Sequence, residues 1–263
     1  MNEPMTLPLW NDRKSTGIKD NDDFQPYLEV YTLDTAKPLG AVIVCPGGGY
    51  SGRAAHEGGI IAQTYNKLGF HAFVLQYRVA PYTHPAPLED AARAVRLVRH
   101  NAAQWNVAAD KIAILGFSAG GHLAGSLGVH YPDVAEDIEF PALSCRPDAL
   151  ILCYAVINGH EGSYQNLFAG NINDDTRKYF HLNAFVDANT PPAFLWHTVE
   201  DGAVPVENAL DFSKAMRASG VPFELHVFPF GNHGLGLGIG SEFEEISVWP
   251  ELSATWLAKM GWK

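Results

Sequence analysis

The stretch Lys111-Ile-Ala-Ile-Leu-Gly-Phe-Ser-Ala-Gly-Gly-His-Leu123 constrains this chain more than any other. Ile112, Ala113, Ile114 and Leu115 make an apolar run suited to a buried parallel strand. Gly116-Phe-Ser-Ala-Gly120 interrupts it, and the small residues Leu123-Ala-Gly-Ser-Leu127 suit a helix beginning just beyond. Strand, sharp turn and helix around G-x-S-x-G are the layout of a nucleophile elbow. Such a turn strains the serine backbone and lifts the Ser118 Oγ off the sheet. A side chain at either flanking glycine would collide with the neighbouring strand or helix, so only hydrogen fits there. So short a match also arises by chance in a glycine-rich loop of no catalytic importance, and the rest of the chain has to decide.

The rest alternates strand and helix. Strands are predicted at Tyr27–Leu33, Ala41–Cys45, Phe70–Tyr77, Asp148–Val156, Pro191–Thr198 and Pro222–Phe228. Helices are predicted at about His56–Leu68, Leu88–Gln104, Val206–Ser219 (ended by Gly220) and Ile246–Met260. In the second of these, Ala91, Val95, Leu97 and Val98 mark an apolar stripe with Arg93, Arg96 and Arg99 mostly outside it. Residues 11–25 read as an irregular polar lead-in. This rhythm implies an α/β fold, a mostly parallel central sheet covered by helices on both faces. With 263 residues the chain suits one large domain, 1–263. Residues 157–190 break the rhythm with polar, aromatic and Asn-rich sequence. A connection so long reads as a small cap insertion over the carboxyl ends of the strands, where ligands of open α/β sheets bind.

Composition narrows the partners. A formal charge of −11, with no basic stripe, argues against nucleic acid and anionic membrane. No apolar run approaches the roughly 20 residues that span a bilayer. Met1–Trp10 lacks a basic segment followed by an apolar core, so no secretion signal is read there and a cytoplasmic home is expected unless a leader precedes it. Of the three cysteines, Cys45 and Cys153 sit in apolar strand-like runs and read as buried free thiols, and no C-x-x-C spacing suggests zinc.

A serine hydroxyl becomes a good nucleophile only beside a base that is itself oriented by a third group. Downstream of Ser118, Asp201 follows an apolar strand and precedes a helix, in Trp196-His-Thr-Val-Glu-Asp-Gly-Ala-Val-Pro205. His233 follows the last strand, in Phe228-Pro-Phe-Gly-Asn-His-Gly-Leu235, with Gly231 and Gly234 to let the loop bend. There are 11 histidines, so position has to choose among them. His226 is on a strand, His197 is too near Asp201, and His71 precedes the serine. His122 lies on the helix side of the elbow and suits packing or substrate contact. Glu200 stays open as a rival to Asp201.

The oxyanion formed during acyl transfer needs N–H donors. Ala119, just after the serine, can supply one. Pro46-Gly47-Gly48-Gly49-Tyr50 follows an earlier strand, and its glycines allow close backbone approach. Neither the Gly-Lys-Ser/Thr of a phosphate loop nor the spacing of a dinucleotide fingerprint is present. Tyr50, His122, Tyr164 and Asn166 are the candidates for substrate contact.

On these residues the chain resembles the α/β-hydrolase esterases. More narrowly, it is similar to the acetyl esterase, acetylxylan esterase and feruloyl esterase-like (BD-FAE-like) branch related to the hormone-sensitive lipase group. The likeness runs from about residue 40 to 240. It is carried by Pro46–Tyr50, Gln76-Tyr-Arg-Val-Ala-Pro81, Pro85–Arg96, Gly116–His122, Glu200–Pro205 and Asn232-His-Gly234. The resemblance implies a triad of Ser118, Asp201 and His233, an oxyanion hole of Gly48, Gly49 and Ala119, and no metal or cofactor. Pro46 stands where the lipase-like group often has histidine, which points to the xylan-esterase side. Without a leader, small acetylated sugars and other short acyl esters are the expected substrates. Arg78 and Asp90 are expected to pair beneath the site. Three rivals remain. A prolyl-oligopeptidase-type serine peptidase would usually bring a propeller domain that this length excludes. A dienelactone-type hydrolase would favour Cys at 118. A non-catalytic hydrolase-fold binding protein would lose triad members.

Overall fold

The structure is a computed structural model that describes residues 4–10 and 24–263. Most of the lead-in expected over 11–25 lies outside the described residues. The chain runs β1 (Met5–Pro8), β2 (Tyr27–Tyr31), β3 (Leu39–Cys45), α1 (Gly59–Lys67), β4 (His71–Gln76), α2 (Ala86–His100), α3 (Ala102–Trp105), β5 (Val107–Phe117) and α4 (Ser118–His130). It continues with β6 (Ala149–Cys153), α5 (Glu161–Leu167), α6 (Asp174–Phe180), β7 (Ala193–Thr198), α7 (Glu207–Ala218), β8 (Phe223–Phe228) and α8 (Trp249–Lys259).

The strands form one sheet in the order β1-β2-β4-β3-β5-β6-β7-β8. From β4 to β8 every pairing is parallel, and β2 runs antiparallel to both β1 and β4. Central strands buried on both faces need apolar residues at every position, and β3, β6 and the 112–117 half of β5 show this. On β3, Ile43 and Cys45 face a core shared with Val95, Ala124 and Phe212 of α2, α4 and α7. Val42 and Val44 face a second core with Ile61 and Tyr65 of α1 and Trp249 and Leu257 of α8. Helices therefore cover both faces. The parallel order brings the ends of β3, β5, β7 and β8 to one edge, and with them Gly48, Ser118, Asp201 and His233. Among the described residues, no helix is long and apolar enough to cross a membrane.

Several elements differ from expectation. β1 has no counterpart among the predicted strands, because four mostly exposed residues carry no apolar alternation. The helix expected over 88–104 ends at His100, and α3 follows before Asn106 turns left-handed at φ 56°. Arg93 and Arg96 are buried, although the apolar stripe leaves them outside. The segments around Leu9 and 135–143 cover that side of α2. Arg93 donates to the Leu9 carbonyl and to Asp137, and Arg96 donates to the Leu143 carbonyl. The closing helix begins as a 3-10 turn, Glu244–Val248, before Pro250 sits in the first turn of α8, where its missing N–H costs nothing.

Candidate active site

Ser118 has φ 52°, in the left-handed region that a non-glycine residue enters at a cost of roughly 1–3 kcal/mol. Its neighbours show what holds it there. A Cβ on Gly116 would lie 2.0 Å from the Gly120 carbonyl oxygen, and one on Gly120 would lie 2.2 Å from that of Cys45. Only glycine lets strand and helix approach so closely. The Val156 N–H donates to the Ser118 carbonyl at 3.0 Å and ties the elbow to the end of β6.

The loops after β7 and β8 bring the other two groups to the serine. The His233 Nε2 lies 2.8 Å from the Ser118 Oγ, and its Nδ1 lies 2.7 Å from the Asp201 Oδ2. With an ionised Asp201, Nδ1–H donates to the carboxylate, which leaves the Nε2 lone pair for the serine hydroxyl. The other Asp201 oxygen accepts the Ala203 and Val204 N–H groups, each at 2.9 Å. Burial works to raise the Asp201 pKa. Hydrogen bonds from His197, His233 and the Val204 N–H overcome it and hold the carboxyl well below the usual carboxylate range. Glu200, the rival acid, is exposed, and it is Asp201 that meets His233. His226 hydrogen-bonds Glu224 on β8 instead. The His233 loop is pinned by Thr198, whose hydroxyl donates to the Gly231 carbonyl at 2.9 Å.

Gly48, Gly49 and Tyr50 take three successive positive φ values, 129°, 63° and 60°. A Cβ on Gly48 would stand 2.4 Å from the Gly52 carbonyl oxygen. The Gly48 carbonyl accepts the Ser51 and Gly52 N–H groups, while the N–H groups of Gly48, Gly49 and Ala119 meet no acceptor among the described residues. Unsatisfied donors at the mouth of an elbow are what a developing oxyanion requires.

The four candidate substrate contacts are placed differently from expectation. Tyr50 and His122 are each 1% exposed, and the Tyr50 hydroxyl lies 2.9 Å from the His122 Nδ1. The His122 Nε2 lies 3.0 Å from the Phe180 carbonyl, so Nε2–H donates and Nδ1 accepts from Tyr50. The Tyr164 hydroxyl is held by Thr176 and the Asn173 carbonyl. Asn166 donates its Nδ2 to the Gly49 carbonyl at 2.8 Å. The side-chain polar atoms of Tyr50, His122 and Tyr164 are spent on the protein itself, and Asn166 spends its Nδ2 on the glycine loop, because the 157–190 segment packs on that loop and on the elbow helix. Tyr50, His122 and Tyr164 are buried behind the site, and Asn166 braces the glycine loop.

Sequence reasoning misses Glu57, Tyr154 and Asn208. Glu57 is buried and accepts the Gly47 N–H at 2.7 Å. Tyr154 donates its hydroxyl to Glu57, accepts the Gly236 N–H, and sets its ring edge-on to His233 at 5.1 Å. Asn208 Oδ1 accepts the N–H groups of Ile157, Asn158 and Gly159 where the 157–190 segment begins. A lone acid between His56 and Gly58, and a polar residue in a helix, are the only signals. Arg78 and Asp90 do pair, at 2.8 Å and fully buried. Among the described residues, no group of three or more His, Cys, Asp or Glu could share a metal ion.

The chain has known relatives. A family model described as BD-FAE matches residues 28–216. The chain is 42% identical over 221 residues to endo-1,4-beta-xylanase B of Butyrivibrio fibrisolvens, covering 81% of this chain and 35% of that protein. It is 32% identical over 252 residues to the acetylxylan esterase of Xylanibacter ruminicola, covering 92% of this chain and 50% of that protein. The chain thus spans between about a third and a half of the length of these curated relatives. The crystal structure of an acetyl ester-xyloside bifunctional hydrolase from Caldicellulosiruptor lactoaceticus superposes with a TM-score of 0.93 at 43% identity, covering 99% of this chain and 97% of that one.

Proposed function

The chain belongs to the BD-FAE family of α/β-hydrolase esterases, and from that premise we propose that it deacetylates short acetylated saccharides related to xylan through Ser118, His233 and Asp201. The observation that carries this reading is the continuous hydrogen-bonded chain Ser118–His233–Asp201, at 2.8 and 2.7 Å, together with the N–H groups of Gly48, Gly49 and Ala119, which meet no acceptor among the described residues. The named relatives and the structural neighbour support the choice of acyl ester.

Ser118 attacks the ester carbonyl carbon while His233 Nε2 takes the hydroxyl proton. Asp201 keeps the imidazole in the tautomer with hydrogen on Nδ1 and stabilises the imidazolium that forms. The tetrahedral oxyanion is met by the N–H groups of Gly48, Gly49 and Ala119, and removal of one such donor typically costs about 10²–10³ in rate. His233 returns the proton to the leaving sugar oxygen, and the acyl group stays on Ser118. Water, deprotonated by His233, then attacks the acyl-enzyme, acetate leaves, and Ser118 recovers its proton. In this reading the whole chain is one domain, and residues 157–190 are a cap that buttresses the oxyanion loop through Asn166. Three buried free cysteines support a reducing, cytoplasmic setting.

The test is hydrolysis of p-nitrophenyl esters of rising chain length beside acetylated xylo-oligosaccharides, for wild type and Ser118→Ala. A fall in rate beyond the shortest chains, with acetate released from the saccharides, is expected. Preference for long chains would overturn the acetyl-esterase reading, and hydrolysis of aryl esters alone would leave a general short-chain carboxylesterase.

A further inference from the structure

We propose that the cleft between the 157–190 segment and the loop after β7 is a saccharide subsite, which seats the sugar of an ester whose acyl group lies at Ser118. This deepens, and rests on, the esterase reading above. The cleft has a volume of about 320 Å³, with His160, Arg177 and His181 on one side and Ala203 and Pro205 on the other. That is near the lower end of the roughly 300–1,000 Å³ typical of small-molecule sites, which suits a short saccharide.

The cleft borders the loop that carries Asp201. The Ala203 N–H on its wall donates to Asp201 at 2.9 Å. Burial lowers the His160 pKa, with the charge of His233 adding to the shift and that of Asp201 opposing it. A ligand with its scissile bond at Ser118 therefore has this cleft as a neighbouring compartment. Its two walls are joined through Asn208, which is buried. Oδ1 takes the N–H groups of Ile157, Asn158 and Gly159 at 2.8–3.2 Å, and Nδ2 donates to the Pro205 carbonyl at 2.9 Å. The cleft is thus built in advance, with little ordering cost left for binding.

Its chemistry fits hydroxyl groups on a neutral ring. His160 Nδ1 accepts the Ser163 N–H at 3.0 Å, so Nε2 carries the ring hydrogen and meets no acceptor among the described residues. The His181 ring makes no hydrogen bond to the described residues and adds a donor and an acceptor. Arg177 binds Glu161 at 2.9 and 3.3 Å, and its guanidinium lies 4.3 Å over the Tyr164 ring. The ion pair cancels its own charge. It leaves a planar array of donors and acceptors suited to adjacent hydroxyls, and no free cation of the kind a phosphate or carboxylate would require. Tyr164 and Phe180 lie beneath the cleft, buried, and form its apolar floor under Arg177.

Arg177 and Glu161 are about half exposed, so Arg177→Ala should fold, and a thermal melt checks that. For Arg177→Ala and His181→Ala, kcat/KM on acetylated xylotriose divided by kcat/KM on p-nitrophenyl acetate should fall about three- to tenfold. This is the effect of one or two lost hydrogen bonds. Calorimetric titration of wild type with unacetylated xylotriose should show binding that Arg177→Ala weakens by a similar factor. An unchanged ratio in both variants overturns the subsite. So does wild-type hydrolysis of p-nitrophenyl acetate with none of acetylated xylotriose, an outcome that leaves the esterase chemistry standing. If wild type cleaves neither ester, the esterase reading falls. The titration then decides the cleft alone, and no binding at tens of millimolar xylotriose overturns it.

Discussion

One carboxylate oxygen of Glu57 accepts the N–H of Gly47 at 2.7 Å, and the other accepts the hydroxyl of Tyr154, which itself takes the Gly236 N–H at 2.9 Å. A single buried side chain thereby fixes both the loop that carries Gly48 and Gly49 and the loop that carries His233. Glu57→Gln keeps the shape but gives up one acceptor, so one buried donor is left unsatisfied at roughly 1–3 kcal/mol. Small displacements of catalytic loops cost up to about 100-fold in rate. The expected outcome is a kcat on p-nitrophenyl acetate lowered about 10- to 100-fold with KM changed far less. A wild-type kcat in Glu57→Gln would show that the two loops do not depend on this carboxylate.

Asn166 reaches from the 157–190 segment to donate to the Gly49 carbonyl at 2.8 Å, a contact that Ala would delete and Asp would reverse. A carboxylate set against a carbonyl oxygen repels it and pushes the 47–49 loop away. Asn166→Asp should therefore lose more kcat than Asn166→Ala, with the alanine variant down by about tenfold for one lost hydrogen bond at most. Steady-state kinetics on a small aryl ester measure this, and an equal or reversed order would contradict it.

Three histidines lie beneath the 157–190 segment. Burial pushes His84 down to about 4, helped by the nearby charge of His130, and pushes His122 down to about 3 against the pull of the Phe180 carbonyl. Burial likewise lowers His130. In the unfolded chain each titrates near 6.5. Above about pH 6.5 both states are neutral and the full stability is present. Below that, the unfolded chain binds protons first, and stability falls until the folded histidines protonate as well. Tm should decline between pH 6.5 and 4, and His84→Gln should flatten the decline. Parallel profiles for the two proteins would refute the assignment.

Gly120 packs directly against the backbone at the end of β3: a Cβ there would lie 2.2 Å from the Cys45 oxygen and 2.4 Å from the Pro46 oxygen. Backbone cannot swing aside as a flexible side chain can. Gly120→Ala should lower stability by about 3 kcal/mol or more, or abolish soluble expression. Gly202→Ala adds a Cβ that meets nothing within 4 Å and should stay within about 0.5 kcal/mol of wild type. Thermal melts of the pair check the contrast.

Much of this is legible in the amino-acid sequence. The apolar run into Gly116–Gly120 locates the elbow. Asp201 and His233 stand out because each follows a strand, and strand order in a parallel sheet brings such loops to one edge. What stays hidden are contacts across long sequence distance. Glu57 meets Tyr154 at a separation of 97 residues, and nothing in either neighbourhood marks the partner. Tyr50, His122, Tyr164 and Asn166 read as substrate contacts because polar residues near a site invite that reading. Their hydrogen bonds to Phe180, Thr176 and Gly49 depend on how the 157–190 segment folds back, which periodicity does not encode. Arg93 is buried for the same reason, since the segments that cover it are irregular.

Acetate release from acetylated xylotriose, followed side by side for wild type and Ser118→Ala, bears on the central claim most directly. The expected result is steady release by wild type and a rate at least about 10⁴-fold lower in the variant, the usual consequence of removing a triad nucleophile. Equal release by the two proteins would contradict it, because the reaction would then proceed without the serine on which the whole site converges.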